Sequence, residues 1–408
     1  KMTLPKVLMF GWELPPHNSG GLGVACYGLT KGLSDLGAKI TFILPKKLEV
    51  NAPFMEVKFD RLPLVNAVAV NSLLQAYMTA WGYRKIIVNG KELDLTTMGD
   101  TIYEEAIRFG NVASQWASHL DHDLIHVHDW MTYPAGRAAS SVSGNPWVAH
   151  VHATEYDRAG DRPDTRIAQI EYEGLNNADR VICVSDLTKR TVMRKYGIKG
   201  DKIDIVYNGV SMDDFPRVDT HDLLPNSKVV LFLGRLTMQK GLEYFLQAAK
   251  RVLEYEPKAV FVIAGSGDLE QQLILQASLL GIGDKVIFTG FIRNPLQRAS
   301  LFQRADVFVM PSVSEPFGLV ALEALANQKP VIMSYESGVA EVIKHALKAH
   351  FWDTNELANM MVSVLRHKEL GNELASGGYR EMQKLSWNEA ANRTMDVYNK
   401  LVIRNGVY

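Results

Sequence analysis

Cysteine is nearly absent: of 408 residues only Cys26 and Cys183 carry a thiol. Both sit in apolar segments and read as small core residues, so a disulfide scaffold is excluded and a reducing cytoplasm is expected. No window approaches the ~20 apolar residues a membrane helix needs, and the opening Lys1–Lys6, with Lys1 ahead of Met2, has no leader pattern. An excess of one charge is missing too. The 44 basic and 45 acidic residues leave −1, so the chain as a whole is not drawn to nucleic acid or anionic membrane. Low-complexity segments, solenoid-period repeats and a Walker-type Gly-Lys-Ser/Thr are also lacking. The expectation is a soluble cytoplasmic protein with no nucleic-acid partner and no transmembrane segment.

What is present is alternation. A chain of 408 residues exceeds one hydrophobic core and suits two domains. Strand-like runs occupy Lys6–Phe10, Lys39–Leu44, Leu124–His128, Trp147–His152, Arg180–Ser185 and Ile203–Tyr207, then Val229–Leu233, Ala259–Ala264, Lys285–Thr289, Asp306–Met310 and Pro330–Met333. Several are apolar on both faces, as parallel strands covered by helices on both sides must be. Between them lie stretches such as Leu242–Tyr255, with Leu242, Phe245, Leu246, Ala249, Val252 and Leu253 at helical spacing. The fold class predicted is α/β, with two doubly wound, Rossmann-like sheets. The polar, turn-rich segment Asn208–Pro225 marks the boundary, dividing the chain into 1–212 and 213–387. Residues 49–100 mix Pro, aromatic and short apolar runs and read as an irregular insertion in the first domain.

Ligands of open α/β sheets bind beyond the carboxyl ends of the strands. The loop Gly234–Gly241 is one such place, with Arg235 and Lys240 just ahead of a helix N-terminus. That end already carries partial positive charge, so two cations there call for an anion, and a diphosphate fits. Two solvated surface cations are the plainer alternative. The segment Ser314–Glu323 follows another strand. A helix capped by Ser314 with Pro316 in its first turn would present the amides of Phe317, Gly318 and Leu319 to an anion. On that helix Glu315 and Glu323 lie roughly 80° apart and suit sugar and ribose hydroxyls, although a dipole-facing and a solvated glutamate would look alike. Gly265 in Ala264–Leu269, and Phe291-Ile292 after the next strand, are weaker candidates for backbone contact with a ligand.

In the first half two strands end in histidine pairs, His126 with His128 and His150 with His152, each pair on one face. A zinc site is one reading; hydrogen-bonded core histidines are the other, and no metal is assigned. His128, Asp129 and His152 stand nearest the carboxyl end. Gly20, Gly21, Leu22 and Gly23 open a helix after a long loop. The third position of a dinucleotide fingerprint is taken by Cys26, so a phosphate-adjacent glycine turn or a plain connector remains.

Together these motifs resemble the retaining GT-B glycosyltransferases of family 4 and the related glycogen and starch synthases of family 5. The resemblance spans nearly the whole chain. It is strongest at Gly234–Gly241 and at Ser314–Ala326, where Glu315 and Glu323 match an E-x7-E signature. His128-Asp129-Trp130, Val151–Glu155 and the Gly20–Gly23 turn look like the glycogen-synthase branch. The resemblance implies two Rossmann-like domains facing a cleft that closes on the donor, with the helix of about 388–408 returning to the first domain. It implies no cofactor and no metal; Asp121-His122-Asp123 reads as the lead-in to a strand. The donor implied is a nucleotide diphosphate sugar, UDP- or ADP-glucose, and the acceptor a saccharide. Arg235 and Lys240 would neutralise the diphosphate, Glu323 hold the ribose, and Glu315 with the 317–319 amides hold the sugar. Phe291-Ile292 would face the base, and His152 and Asp129 the sugar or acceptor. The chain departs from the pattern at Ala346–His350, where the family has a glycine-containing turn. A sucrose- or other small-sugar-forming enzyme, a non-hydrolysing sugar-nucleotide epimerase, a zinc hydrolase and a silent saccharide-binding protein are the alternatives.

Overall fold

Strands apolar on both faces must be covered on both sides, and the architecture follows from that need. The computed structural model describes residues 4–16, 20–45, 49–59, 85–88, 91–94, 99–212, 215–218 and 224–404. In chain order the first strands are β1 (Lys6–Phe10), β2 (Lys39–Leu44), β3 (Glu56–Phe59), β4 (Lys85–Val88), β5 (Lys91–Asp94), β6 (Leu124–His128), β7 (Trp147–Val151), β8 (Arg180–Cys183) and β9 (Ile203–Ile205). Seven of them form a sheet in the order β3-β2-β1-β6-β7-β8-β9, every neighbouring pair parallel. Then come β10 (Lys228–Leu233), β11 (Ala259–Ala264), β12 (Val286–Gly290), β13 (Val307–Met310), β14 (Val331–Ser334) and β15 (Leu347–Ala349). They form a six-stranded sheet in the order β12-β11-β10-β13-β14-β15, also parallel throughout. Both are doubly wound Rossmann-like sheets. The strand order reverses between β1 and β6 in one and between β10 and β13 in the other, where crevices for ligands open.

The chain separates into two compact units, Lys1–Gly209 with Ser386–Tyr408, and Val210–Leu385. Each has its own core, Phe10, Phe42 and Phe109 among the buried rings of the first and Phe232, Phe245 and Phe261 of the second. Of the 49–100 segment read as irregular, the described part supplies edge strand β3 and the antiparallel hairpin β4-β5; the remainder, with Asp213-Asp214 and 219–223 of the boundary segment, lies outside the described residues. Ala346–His350 holds the short edge strand β15, paired to β14, in place of a turn. Strand β8 stops short of Ser185 because that hydroxyl caps the next helix, accepting from the amide of Thr188.

The first unit is closed by the helix Trp387–Arg404, which lies against the helix Gly21–Asp35. Glycine makes the approach possible. A Cβ on Gly28 would stand 2.2 Å from the Trp387 ring, and one on Gly32 would stand 2.7 Å from the Trp387 carbonyl oxygen. Helix propensity alone favours alanine over glycine by about 1 kcal/mol, whereas overpacking costs ~1–3 kcal/mol. At Gly32 the obstacle is backbone and cannot rotate away. Gly32→Ala is therefore expected to lower the urea midpoint of the full chain; an unchanged or higher midpoint would mean that the helices can separate freely.

Candidate active site

In the second unit the reversal point is built by two loops that touch. After β10 the chain runs through Gly234 and Arg235 into a single 3-10 turn, Met238–Lys240, and the helix Leu242–Tyr255 starts from Gly241 at φ 69°. After β13 it runs through Pro311–Gly318. The Gln239 carbonyl accepts from the Val313 and Ser314 amides at 2.9 and 3.4 Å, and a Cβ on Gly241 would lie 2.0 Å from the Pro311 carbonyl oxygen. Only glycine allows that closeness and that φ.

The contact sets Lys240 Nζ 2.5 Å from Glu315 Oε2, which also accepts from Ser312 Oγ at 3.2 Å. The charge conflict read at this helix end is thus met in part by Glu315. Arg235 lies beside Asp268: burial raises the Asp268 carboxyl and Arg235 pulls it back down.

Glu315 does not lie on a helix. The helix of this segment is Leu319–Ala326, not one capped by Ser314, because Gly318 at φ 107° interrupts the turn and stands as N-cap. Glu315 instead pairs with the segment after β14, its amide donating to the Glu336 carbonyl and its carbonyl accepting from Gly338 N–H at 2.8 and 2.9 Å. The helical-face argument for two converging glutamates therefore fails. Glu323 is on the helix and is held from elsewhere: Arg298, on the helix Pro295–Arg304, donates to both its oxygens at 2.6 Å. Phe317 is buried, its carbonyl accepting from the Val339 amide at 2.7 Å. No side chain caps the Gly318–Leu319 end, which leaves it as an electropositive helix terminus.

Gly265 has a backbone reason to be glycine. At φ 140° its Cβ would lie 1.8 Å from the Gly234 carbonyl oxygen, so the β10 and β11 loops are in backbone contact. Phe291 and Ile292 follow edge strand β12, and Phe291 is more than half exposed.

In the first unit the four histidines come together. His126 Nε2 meets His150 Nδ1 at 3.1 Å, and His128 Nδ1 meets His152 Nε2 at 3.0 Å. Tyr398, from the closing helix, bonds His126 Nδ1 at 2.6 Å. All four rings are buried. Burial holds His126 and His152 down to about 3 and, aided by the neighbouring imidazoles, His128 and His150 well below the usual value. They are neutral.

Asp129, directly after β6, adopts φ 62°, a conformation that costs ~1–3 kcal/mol in a residue with a Cβ and concentrates at functional sites. Its Oδ1 accepts from the amides of His152 and Ala153 at 2.7 and 3.3 Å, so it fixes the backbone carrying His152. Its Oδ2 is buried with no partner among the described residues. Burial pushes its carboxyl up to about 7, against the pull of Arg158 and the two amides. Arg158 is itself buried between Glu155 and Glu171 at 3.1 and 2.8 Å, and burial likewise lifts Glu171 to about 7 against Arg158.

Sequence reasoning missed Arg298, Glu155, Arg158 and Glu171, and also Glu13. The buried Glu13 carboxylate accepts from the Gly23 amide at 3.1 Å. It caps the Gly20–Gly23 turn from outside, because Gly20 at the N-cap has no side chain. An anion at this helix end meets a carboxylate already in place.

These groups set opposing pH dependences. The imidazoles have folded values below their unfolded ~6.5, so the stability they confer is present above that pH and lost as pH falls toward ~3. Asp129 and Glu171 have folded values above their unfolded ~4, so their contribution is present below that and lost as pH rises through ~7. Between roughly pH 7 and 5 four histidines outweigh two carboxyls. Unfolding free energy is expected to fall on the order of 3 kcal/mol over that range, read from urea titrations at the two pH values; equal or greater stability at pH 5 would contradict neutral burial of the rings.

Comparison with known proteins places the chain. Residues 219–381 match the family model for glycosyl transferases group 1, and residues 19–214 match that for glycosyltransferase family 4. An uncharacterised glycosyltransferase of Methanocaldococcus jannaschii is 30% identical over 414 residues, covering 96% of this chain and 97% of its own. The glycogen synthase of Mycobacterium tuberculosis is 24% identical over 404 residues, covering 96% and 94%. Among solved structures, Anabaena HepE in complex with UDP-glucose superposes with a TM-score of 0.69 at 17% identity, over 97% of this chain and 100% of its own. Among the described residues no helix is long and apolar enough to cross a membrane. With this likeness running through both units, the chain belongs to the glycosyltransferases, as a GT-B transferase of the family 4 kind.

Proposed function

We propose that the protein transfers glucose from a nucleotide diphosphate sugar, UDP- or ADP-glucose, to a saccharide hydroxyl with retention of configuration and without a catalytic metal. The observation that carries the reading is the pair of touching loops after β10 and β13, which bring Lys240, Glu315 and Ser312 together at the reversal of strand order. The likeness to a glycogen synthase and to a protein solved with UDP-glucose supports the donor and the sugar. Retention rests on the E-x7-E resemblance.

In this mechanism Lys240 exchanges its carboxylate partner for a phosphate oxygen when the donor arrives, and Arg235 takes a second. Glu315, released, accepts from a sugar hydroxyl, with the Phe317–Leu319 segment alongside. Glu323, its carboxylate oriented by Arg298, accepts from the ribose hydroxyls. Phe291-Ile292 faces the base. Gly265, where the loops after β10 and β11 touch, offers backbone contact to the donor. For the first unit the family resemblance implies that the His152 ring or carbonyl serves the sugar, Asp129 a hydroxyl and the Gly20–Gly23 turn the phosphates. The bond from the anomeric carbon to the diphosphate oxygen breaks first, leaving an oxocarbenium-like centre. The acceptor hydroxyl then enters on the same face and its proton passes to the departing phosphate. The chain's contribution is charge placed in advance where the leaving group becomes negative.

Removing one such preorganised donor costs ~3 kcal/mol, about a hundredfold or more in rate. Lys240→Ala and Arg235→Ala are expected to lose turnover by that factor while keeping the wild-type circular dichroism. Nucleotide release from a panel of sugar nucleotides, with and without saccharide acceptors and after exhaustive chelation, identifies the donor, and proton NMR of the product reads its anomeric configuration. Near-wild-type rates in both variants at saturating donor would remove the diphosphate assignment; loss of activity on chelation, restored by a divalent ion, would remove metal independence.

A further inference from the structure

The buried histidines have a thiol neighbour that the proposed transfer does not use. Cys26, in the helix Gly21–Asp35, offers its Sγ to the same space as His128 and His152, one donor atom of each lying within 4.8 Å of the others. All three residues are buried. His128 Nδ1 and His152 Nε2 are 3.0 Å apart, close to the ~3.3 Å between two nitrogens on one tetrahedral zinc at about 2.0 Å. One thiolate and two imidazoles are a donor set for a soft or borderline ion, not for magnesium or calcium.

A carboxyl group stands next to the three: Asp129 follows His128 in the chain, and its Oδ1 accepts from the His152 amide at 2.7 Å. Asp129 Oδ2 is buried without a partner among the described residues, and the cation acting on that carboxyl, Arg158, is already bonded to Glu155 and Glu171. A cation held by Cys26, His128 and His152 would place positive charge near this buried carboxyl group. The second trio of the cluster, His126, His128 and His150, is less suited, because both His126 nitrogens are engaged, by Tyr398 and His150.

We propose that Cys26, His128 and His152 form a site for a thiophilic divalent cation, of which Zn2+ is the type, and that its occupancy shuts off glycosyl transfer. The Cys26 thiol loses its proton to solvent as the sulfur–metal bond forms. His128 binds through Nδ1 and keeps its proton on Nε2; His152 binds through Nε2 and keeps its proton on Nδ1. One proton is released per ion, so the affinity rises with pH. The site itself stands on the geometry. The shut-off rests on the proposed placing of His152 beside the sugar, since a ring fixed to a metal is no longer available to substrate.

Co2+ is the probe, titrated into the metal-free full chain. The expected result is one ion per chain with a near-ultraviolet thiolate-to-cobalt charge-transfer band and the visible bands of four-coordinate cobalt, a water molecule taking the fourth position. The thiolate band is lost in Cys26→Ser and kept in Cys183→Ser. Because Cys26→Ser can disturb the helix, a second measurement uses the unaltered chain: the ion should slow alkylation of one thiol, identified by peptide mapping as Cys26. Zn2+ should displace the cobalt and lower the transfer rate at least tenfold, with recovery on chelation. Absence of a thiolate band, its survival in Cys26→Ser, or protection of Cys183 alone overturns the site. A full band with an undiminished transfer rate leaves the site and overturns the shut-off, together with the ring as the group through which His152 meets the sugar.

Discussion

The close approach of two loops at the centre of the second sheet is the constraint on which the proposed chemistry depends. Parallel pairing of β10 with β13 brings the carboxyl ends of two strands together where their crossovers part. Gly241 then lets the following turns meet at backbone distance. The ion pair that results, Lys240 with Glu315, is mostly buried, the side chains 19% and 11% exposed. Partly buried pairs of this kind contribute little net stability, since desolvation offsets most of the attraction. In the proposed chemistry their use is poise: an anion arriving at Lys240 would find the cation already desolvated and aimed, and the carboxylate it displaces would be left facing the ligand.

The first unit works by a different economy. It carries no comparable exchangeable cation among the groups described at its reversal point. It holds four imidazoles neutral by burial, strains Asp129 into a positive φ, and uses that carboxylate to fix the backbone at His152. The closing helix adds Tyr398 to the same chain of hydrogen bonds and is held in place through Gly28 and Gly32. Packing of the chain's last helix and positioning of the histidines are therefore mechanically connected.

Much of this was legible in the residues because it is local. Runs apolar on both faces announced parallel strands, helical spacing marked the covers, and Arg235 and Lys240 stood in a loop after a strand. What was not legible is long-range or conformational. The Arg298–Glu323 pair joins two helices 25 positions apart, and Tyr398 reaches His126 across 272; no period records such partners. The cap that Glu13 places on Gly23 crosses a loop. The helix start at Ser314 was misread because Pro316 and Ser314 carry the usual local signals, whereas Gly318, at φ 107°, breaks the turn and moves the start to Leu319. The apolar run at Arg180 extends by pattern through Ser185, whereas the Ser185 hydroxyl serves the next helix.

The most direct test is the binding of the bare nucleoside diphosphate, measured by calorimetry in two single variants. If Lys240 is the shared partner of Glu315 and the diphosphate, the variants must move in opposite directions. Lys240→Gln should weaken binding at least tenfold, and Glu315→Gln, by freeing the ammonium and removing a repelling charge, should strengthen it. Weakening in both, or wild-type affinity in Lys240→Gln, would contradict the account.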